Sequence, residues 1–324
     1  MTQRRTQYQT QDASHFFLHT PAESSSRYVE WAERLSEDPG ITFGCVLDKY
    51  IIPLHPGDLM SVVARPGHGK SMFMAYLTRR VANQIVARGA TGKECAVYVS
   101  WEQPVEELEA YFQSGASYTS TDLAWGRVDL DTVRKGAIDR INLPVWMVGY
   151  SIRDSSVAKP PLTVDMVYNT IRSLRDEFGL SPALVCLDYL QIIPVHHAGE
   201  RTRQVSNATI EAKRLAMDVG CPIVAGVQAG RQVDKYASPI PALADGQHTS
   251  TIEQTADKQI ALWRPIKTEE PGEGVNVGGV TYDVVEELLV VRLLKQRLES
   301  GSGIWPIHFK PETLEVKDYA IHSL

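Results

Sequence analysis

Ala64-Arg65-Pro66-Gly67-His68-Gly69-Lys70-Ser71 lies between an apolar run, Leu59 to Val63, and a segment of helical character from Met72 to Arg88. A strand, a glycine-bearing loop and a helix, in that order, form an anion cradle, because loop N–H groups and the helix N-terminus converge on one point. The stretch predicts a nucleoside triphosphate site, with Ala64 to Ser71 wrapped around the phosphates. Gly69 stands where the backbone must approach them, Lys70 reaches the β- and γ-phosphates, and Ser71 offers its hydroxyl to Mg²⁺. The general pattern begins with glycine, whereas this one begins with Ala64. A solvent loop with a chance Gly-Lys-Ser is the rival reading, and the flanking strand and helix count against it.

Moving outward, 324 residues with 43% hydrophobic content suffice for one large α/β domain or two small ones. No apolar stretch is long enough for a membrane span, and Met1 to Gln11 is polar, without the apolar segment of a secretory signal, so the cytoplasm is the expected compartment. Cys45, Cys95, Cys186 and Cys221 are far apart and read as buried, reduced thiols. The net charge of −6 argues against a broadly basic nucleic-acid surface but leaves room for a small basic groove shared by several subunits.

Residues 1–26 read as a flexible arm rich in Thr, Gln and Ser. A short helix over 27–37, capped by Ser26, carries Tyr28, Trp31 and Leu35 at helical spacing. That stripe either folds back on its own domain or docks on a neighbouring subunit or other partner. From Ile41 onward, apolar strands alternate with helices, the mark of a mainly parallel sheet flanked by helices. Strands are expected at 59–64, 95–101, 144–149, 183–188 and 222–228, and helices at 70–88, 104–114, 129–139, 163–178 and 202–219. Gln259 to Trp263, Glu287 to Leu294 and Ile304 to Lys310 read as antiparallel strands near the C-terminus, around a glycine-rich connection, Pro271 to Gly279. The expected division is 1–40, an arm with a docking helix, and 41–324, the ATPase domain.

Four strand ends carry the candidate chemistry. Ala183 to Asp188 is an apolar strand ending in a carboxylate at the edge that holds the phosphate loop, so Asp188 is the candidate partner of Ser71 for Mg²⁺. Glu102, just past the strand ending at Ser100, is either a general base for the attacking water or a carboxylate favoured by the next helix N-terminus. Gln228 ends the strand from Pro222 and is positioned to touch a γ-phosphate or orient water, or is an ordinary loop amide. Lys295 and Arg297 follow a strand and are either surface charges or, in a ring of ATPases, a pair entering the neighbour's site.

Taken in order, Ala-Arg-Pro-Gly-His-Gly-Lys-Ser, Ser-Trp-Glu-Gln, Leu-Asp-Tyr-Leu-Gln, the Gln228 strand end, Thr251 to Asp257 and Lys-Gln-Arg resemble the RecA-like motor domain of DnaB-type replicative helicases over about residues 41–315. That family begins its phosphate loop with Ala-Arg-Pro, so Ala64 is no anomaly. The resemblance implies a RecA-like α/β fold, a hexameric ATPase using ATP and Mg²⁺, and sites at subunit interfaces. It carries over Lys70 and Ser71 as nucleotide and metal ligands, Glu102 as catalytic base, Asp188 as the Walker B acid, Gln228 as sensor, and Lys295 with Arg297 as the pair acting in trans. Arg231 matches an arginine of the family, and the helix at 27–37 matches its linker helix in position.

Three departures matter. Residues 1–40 are too few for the family's N-terminal helical domain, so primase binding is not carried over. Gly246-Gln247-His248-Thr249-Ser250 stands where the family has an arginine-bearing loop facing single-stranded DNA, leaving Gln247, His248 and backbone N–H groups as phosphate contacts. Lys-Gln-Arg is followed by Leu298-Glu299 rather than Asn-Gly. In the other channel loop, Pro194 to Arg203, Arg201 and Arg203 are either DNA-phosphate contacts or part of a solvated loop, and the pair His196-His197 lacks the neighbours a metal site needs. The leading reading is an ATP-hydrolysing, hexameric DnaB-like helicase that translocates on single-stranded DNA; the alternative is a RecA-like ring or filament switched by nucleotide as a scaffold without unwinding. The neutral loop favours the alternative, and Glu102 with Lys295 and Arg297 fits a working hydrolase in either.

Overall fold

The structure is a computed structural model that describes residues 18–113, 118–154, 160–194, 201–236, 238–246, 250–299 and 301–319. The chain divides into two compact units, Met1–Gly40 and Ile41–Leu324. In the first, helix α1 spans Pro21–Glu37 and starts earlier than the sequence reading placed it. Ser26 lies inside the helix. The cap is Thr20, whose hydroxyl accepts from the Glu23 N–H while the Glu23 carboxylate accepts from the Thr20 N–H, and Pro21 fits the first turn because it has no N–H to satisfy. Residues 21–26, expected in a flexible arm, are thus helical.

The second unit is built on one nine-stranded sheet in the order β11-β10-β9-β6-β1-β5-β4-β2-β3. Its strands are β1 (Leu59–Ala64), β2 (Glu94–Ser100), β3 (Val145–Val148), β4 (Ser181–Asp188), β5 (Ile223–Gln228), β6 (Lys258–Trp263), β9 (Leu288–Gln296), β10 (Gly303–Lys310) and β11 (Glu315–Asp318). β7 (Gly274–Val277) and β8 (Val280–Asp283) form a separate hairpin. The helices of this unit are α2 (Lys70–Ala87), α3 (Val105–Gln113), α4 (Ser120–Ala124), α5 (Leu130–Ile141), α6 (Val164–Phe178), α7 (Arg201–Val219) and α8 (Ser250–Thr255).

Burial on both faces explains the continuous apolar strands. Met60, Val62 and Ala64 pack with Phe73, Leu77 and Val81 of α2, whereas Leu59 and Val63 pack on the opposite face with Ile171 of α6 and Val205 and Ala212 of α7. Strand side chains alternate, so a strand covered by helices on both sides must be apolar throughout. A third cluster, Trp263, Val275, Val277, Val284, Leu288 and Val290, lies under the β7–β8 hairpin.

The parallel core falls within a residue or two of the expected bounds. The strand expected to be antiparallel at Gln259 to Trp263 is not wholly so: β6 runs parallel to β1 and antiparallel only to β9. It therefore closes the parallel half of the sheet, and the antiparallel half is β9, β10 and β11. Cys95, Cys186 and Cys221 are buried free thiols, whose burial pushes their pKa up to about 12, and Cys45 is partly exposed. Among the described residues, no helix is long and apolar enough to cross a membrane.

Candidate nucleotide-binding site

The carboxyl ends of β1, β5, β4 and β2 meet along one edge of the sheet, with Ala64 in register with Gln228 and Ser100 with Asp188. β6 brings Arg264 to the same edge, since Leu262 pairs with Ala64. Open α/β sheets bind ligands just outside such an edge. A cleft of about 600 Å³ opens there, lined among others by Lys70, Ser71, Glu102, Gln228, Arg264 and Lys267. That volume suits a small organic ligand.

The loop between β1 and α2 turns through Gly67 and Gly69, at φ 80° and 85°. At Gly69 a Cβ would also stand 3.1 Å from the Phe309 ring and 3.5 Å from Arg264 Cδ, so conformation and space both require glycine. The helix then starts at once, the Phe73 N–H donating to the Gly69 carbonyl at 2.8 Å. The free N–H groups of its first turn face the cleft end of the strand, as anion binding needs.

Lys70 is ion-paired with Asp188, and its ammonium lies 4.6 Å from the centre of the Tyr189 ring. Gly226 makes this possible: a Cβ there would sit 2.9 Å from Lys70 Nζ and 3.1 Å from Tyr189 Cβ. Asp188 is buried beneath Lys70, and its other oxygen accepts from the Tyr98 hydroxyl at 2.9 Å. Burial, reinforced by the Asp188 carboxylate, holds the Tyr98 phenol well above its ordinary pKa, so it stays a neutral donor. Among the described residues, no group of three or more His, Cys, Asp or Glu side chains is placed to hold a metal ion by itself. Tyr98 bridges the two candidate metal ligands, its hydroxyl donating to Asp188 and also lying 3.3 Å from the Ser71 carbonyl, and two oxygen donors of this kind suit an ion such as Mg²⁺ that takes few protein ligands.

Glu102 is exposed, lines the cleft, and has no hydrogen bond or ion pair to any described residue. Gln228 is held at its backbone: Gln191 Nε2 donates to the Gln228 carbonyl and the Gln228 N–H donates to Gln191 Oε1, each at 3.1 Å. Gln191, Tyr98 and Arg264 were not singled out by sequence, although Gln191 closes the Leu-Asp-Tyr-Leu-Gln string. Arg65 makes a two-pronged pair with Asp234 at 2.7 and 2.8 Å and donates to the Ala229 carbonyl at 3.1 Å, tying the phosphate loop to the segment after β5.

His68 does not line the cleft. It is buried, and its Nδ1 accepts from the Arg264 N–H at 3.1 Å. Burial, followed by the Arg65 charge, lowers its pKa to about 4 from an ordinary 6.5. The unfolded chain then binds a proton that the folded chain refuses between pH 6.5 and 4. This contribution to stability is intact above pH 6.5 and declines as pH falls to 4, by roughly 3 kcal/mol in all. In nucleotide-free denaturant titrations, the stability difference between wild type and His68→Gln is expected to shrink by about that amount from pH 7 to pH 4. A difference independent of pH would contradict the neutral, buried imidazole.

Lys295 and Arg297 lie elsewhere. β9 is antiparallel to β6, so its carboxyl end returns to the amino edge of β1, with Lys295 opposite Gln259 and Lys258 opposite Met60. At about 3.3 Å per residue, the span from Leu59 to Ala64 separates the two edges by roughly 16 Å. There Lys295 Nζ donates to the Glu253 carbonyl at 2.5 Å, and Arg297 pairs with Asp257 at 2.9 Å. Of the DNA candidates, Arg203 is exposed on α7. The Arg201 side chain, Gln247 and His248 lie outside the described residues, as do His196 and His197.

A family model described as the DnaB-like helicase C terminal domain matches residues 40–316. The replicative DNA helicase DnaB of Mycoplasma genitalium is 25% identical over 274 residues, covering 82% of this chain and 53% of that protein. Its namesake from Rickettsia bellii is 27% identical over 234 residues, covering 69% of this chain and 45% of that protein. The chain spans about half the length of the curated relatives it matches. Among solved structures, the ATPase domain of G40P superposes with a TM-score of 0.74 at 18% identity, over 93% of this chain and all of that one. A DnaB-like replicative helicase, solved for its interactions with primase, gives a TM-score of 0.72 at 18% identity over 94% of this chain and 68% of that one. At that identity the two structures show a shared fold.

Proposed function

The chain belongs to the family of DnaB-like helicase C-terminal domains, and from that premise we propose that it is an ATP-driven translocase on single-stranded DNA, acting as a ring, most simply a hexamer, with sites shared between neighbouring subunits. The observation that carries this reading is the separation of two charged groups. Lys70, Ser71, Asp188, Glu102 and Gln228 sit at the carboxyl edge of the sheet, and Lys295 and Arg297 at the amino edge. A cation some 16 Å from the phosphate loop of its own chain cannot reach that loop, which supports a role in another copy's site. Closed rings of head-to-tail subunits bring unlike edges together in this way.

In the proposed site, backbone N–H groups of Gly67 to Ser71 and the start of α2 hold the phosphates of ATP. The Lys70 ammonium exchanges Asp188 for phosphate oxygens, freeing that carboxylate. Ser71 and Asp188 would then hold Mg²⁺, which offsets the charge developing on the phosphate oxygens. Glu102 takes the proton of the attacking water. Its lack of a partner among the described residues suits a base that must accept from a transient donor. Gln228 orients that water or a γ-phosphate oxygen, its backbone fixed by Gln191. Arg297 and Lys295 of the adjacent subunit enter last and stabilise the transferring phosphoryl group.

On the DNA side, Arg201, Arg203, Gln247 and His248 are the proposed phosphate contacts. α1 leaves Tyr28, Val29 and Trp31 65%, 53% and 41% exposed, and we assign its apolar stripe to docking on the next subunit, which makes residues 1–40 a connecting arm. A partner protein on that arm, by contrast, would belong to the second reading, a nucleotide-switched scaffold without unwinding. The absence of an arginine from Gly246 to Ser250 favours that alternative, since a neutral loop releases fewer counterions on binding DNA. Turnover measured on the assembled full chain separates the two. Titration with a single-stranded oligonucleotide is expected to raise ATP hydrolysis. Rings whose turnover ignores DNA would leave the scaffold as the function.

A further inference from the structure

Arg297 is not simply a surface cation at the end of a strand. Its side chain is 52% exposed, yet the guanidinium is seated on the buried Asp257, whose side chain is only 6% exposed, at 2.9 Å. The second Asp257 oxygen is fully occupied: Lys213 Nζ of α7 donates to it at 2.6 Å and the Leu59 N–H of β1 at 2.8 Å. The backbone is locked as well, the Asp257 N–H donating to the Leu59 carbonyl at 2.8 Å and the Arg297 N–H to the Asp257 carbonyl at 2.9 Å. Lys213 also donates to the Gly57 carbonyl at 2.7 Å. The carboxylate therefore cannot rotate, and a single oxygen is left to face the guanidinium.

The seat orients the guanidinium as well as holding it. Arg297 Nη1 takes the Asp257 oxygen and Nη2 makes a long contact of 3.4 Å with the Gln254 carbonyl, which leaves outward donors of the planar fork for an anion on another molecule. Immediately beyond, Leu298 is 85% exposed and lies at φ 74°, a conformation uncommon for a bulky residue, so the chain bends sharply where the arginine projects. An exposed ion pair made only for stability needs none of this, since such pairs contribute little.

We propose that Asp257, clamped by Lys213 and the Leu59 amide, is a positioning residue that fixes Arg297 for use in the neighbouring subunit's ATP site. The inference rests on the shared-site reading above. Misplacement of a reacting group by about 1 Å costs on the order of 10²-fold in rate. Asp257→Asn keeps an oxygen for the Leu59 N–H but loses the charge that seats the guanidinium. ATP turnover of the full chain is therefore expected to fall about 10²-fold, with unchanged affinity for a fluorescent ATP analogue. In rings co-purified from two differently tagged chains, Asp257→Asn should regain turnover beside Lys70→Ala and gain nothing beside Arg297→Ala. Asp257→Asn added to Arg297→Ala should lower turnover no further.

Impaired turnover that a Lys70→Ala partner does not recover would assign Asp257 a general structural role and overturn the inference. Wild-type turnover of Asp257→Asn, with Arg297→Ala crippled, would overturn it while leaving the shared site standing. Wild-type turnover of Arg297→Ala itself would remove the shared-site reading, and this inference with it. Should Asp257→Asn not fold, because Lys213 is left without its carboxylate, the double variant Asp257→Asn with Lys213→Met removes the buried pair together and gives the same set of outcomes.

Discussion

Arg297→Ala is expected to lower ATP turnover by about 10³-fold or more while leaving ATP affinity nearly unchanged. The size follows from what the guanidinium would meet: charge on the transferring phosphoryl group, in a site from which a neighbouring subunit excludes water. Affinity is spared because Arg297 lies at the sheet edge opposite its own phosphate loop, where Lys70 and the loop amides do the binding. The fold is spared as well. Asp257 keeps Lys213 and the Leu59 N–H when the arginine is removed, so no buried charge is abandoned. Arg297→Lys should recover only part of the loss, because an ammonium cannot make the two-pronged contact of a planar fork. Turnover and nucleotide titration on the same ring preparations measure both quantities, and a fall in affinity matching the fall in rate would contradict a role confined to the reaction step.

Glu102→Gln is the second large effect: turnover lower by about 10² to 10⁴-fold with ATP retained on the protein. Glutamine has nearly the shape of glutamate and still bonds to water, but it cannot take the proton. Glu102 has no partner among the described residues and lines the cleft beside Lys70 and Gln228, so the substitution breaks no hydrogen bond or ion pair among them. The readout is single-turnover hydrolysis after rapid mixing. Bound, unhydrolysed ATP is expected, and wild-type turnover would return Glu102 to the alternative of a carboxylate favouring the start of α3.

The phosphate loop was legible because its physics is local: Gly67 and Gly69 take left-handed conformations, and a strand and helix flank them within a few residues. The parallel strands were legible because burial on both faces forces unbroken apolar runs. What the sequence hid is non-local. The direction of β6 depends on which strand the chain returns beside, and alternation within Gln259 to Trp263 carries no such information. The β7–β8 hairpin was read as part of a glycine-rich connection, although Gly278 and Gly279, at φ 62° and 90°, are the pair a tight two-residue turn demands. The start of α1 is likewise legible in Thr20-Pro21-Ala22-Glu23, a capping pattern that begins six residues ahead of Ser26.

Candidate site residues divide in the same way. Asp188 and Gln228, which end strands, and Glu102, two residues past one, stand out in the sequence because parallel strands deliver their ends to one edge. Gln191 was missed as the clamp on Gln228, and the seat built by Lys213 and Asp257 under Arg297 was invisible, because α7, β1 and β9 meet there from distant parts of the chain. The same topology sends Lys295 and Arg297 away from their own chain's loop, which a linear string of motifs cannot reveal.

The division of one ATP site between two subunits is tested most directly by complementation. Lys70→Ala and Arg297→Ala chains, each with its own tag, are co-expressed, and rings carrying both tags are purified and assayed for ATP turnover. With random placement, about one interface in four joins the intact phosphate loop of one chain to the intact Arg297 of the other, so turnover well above that of either parent is expected. Mixed rings as inactive as both parents would contradict a site shared across the interface.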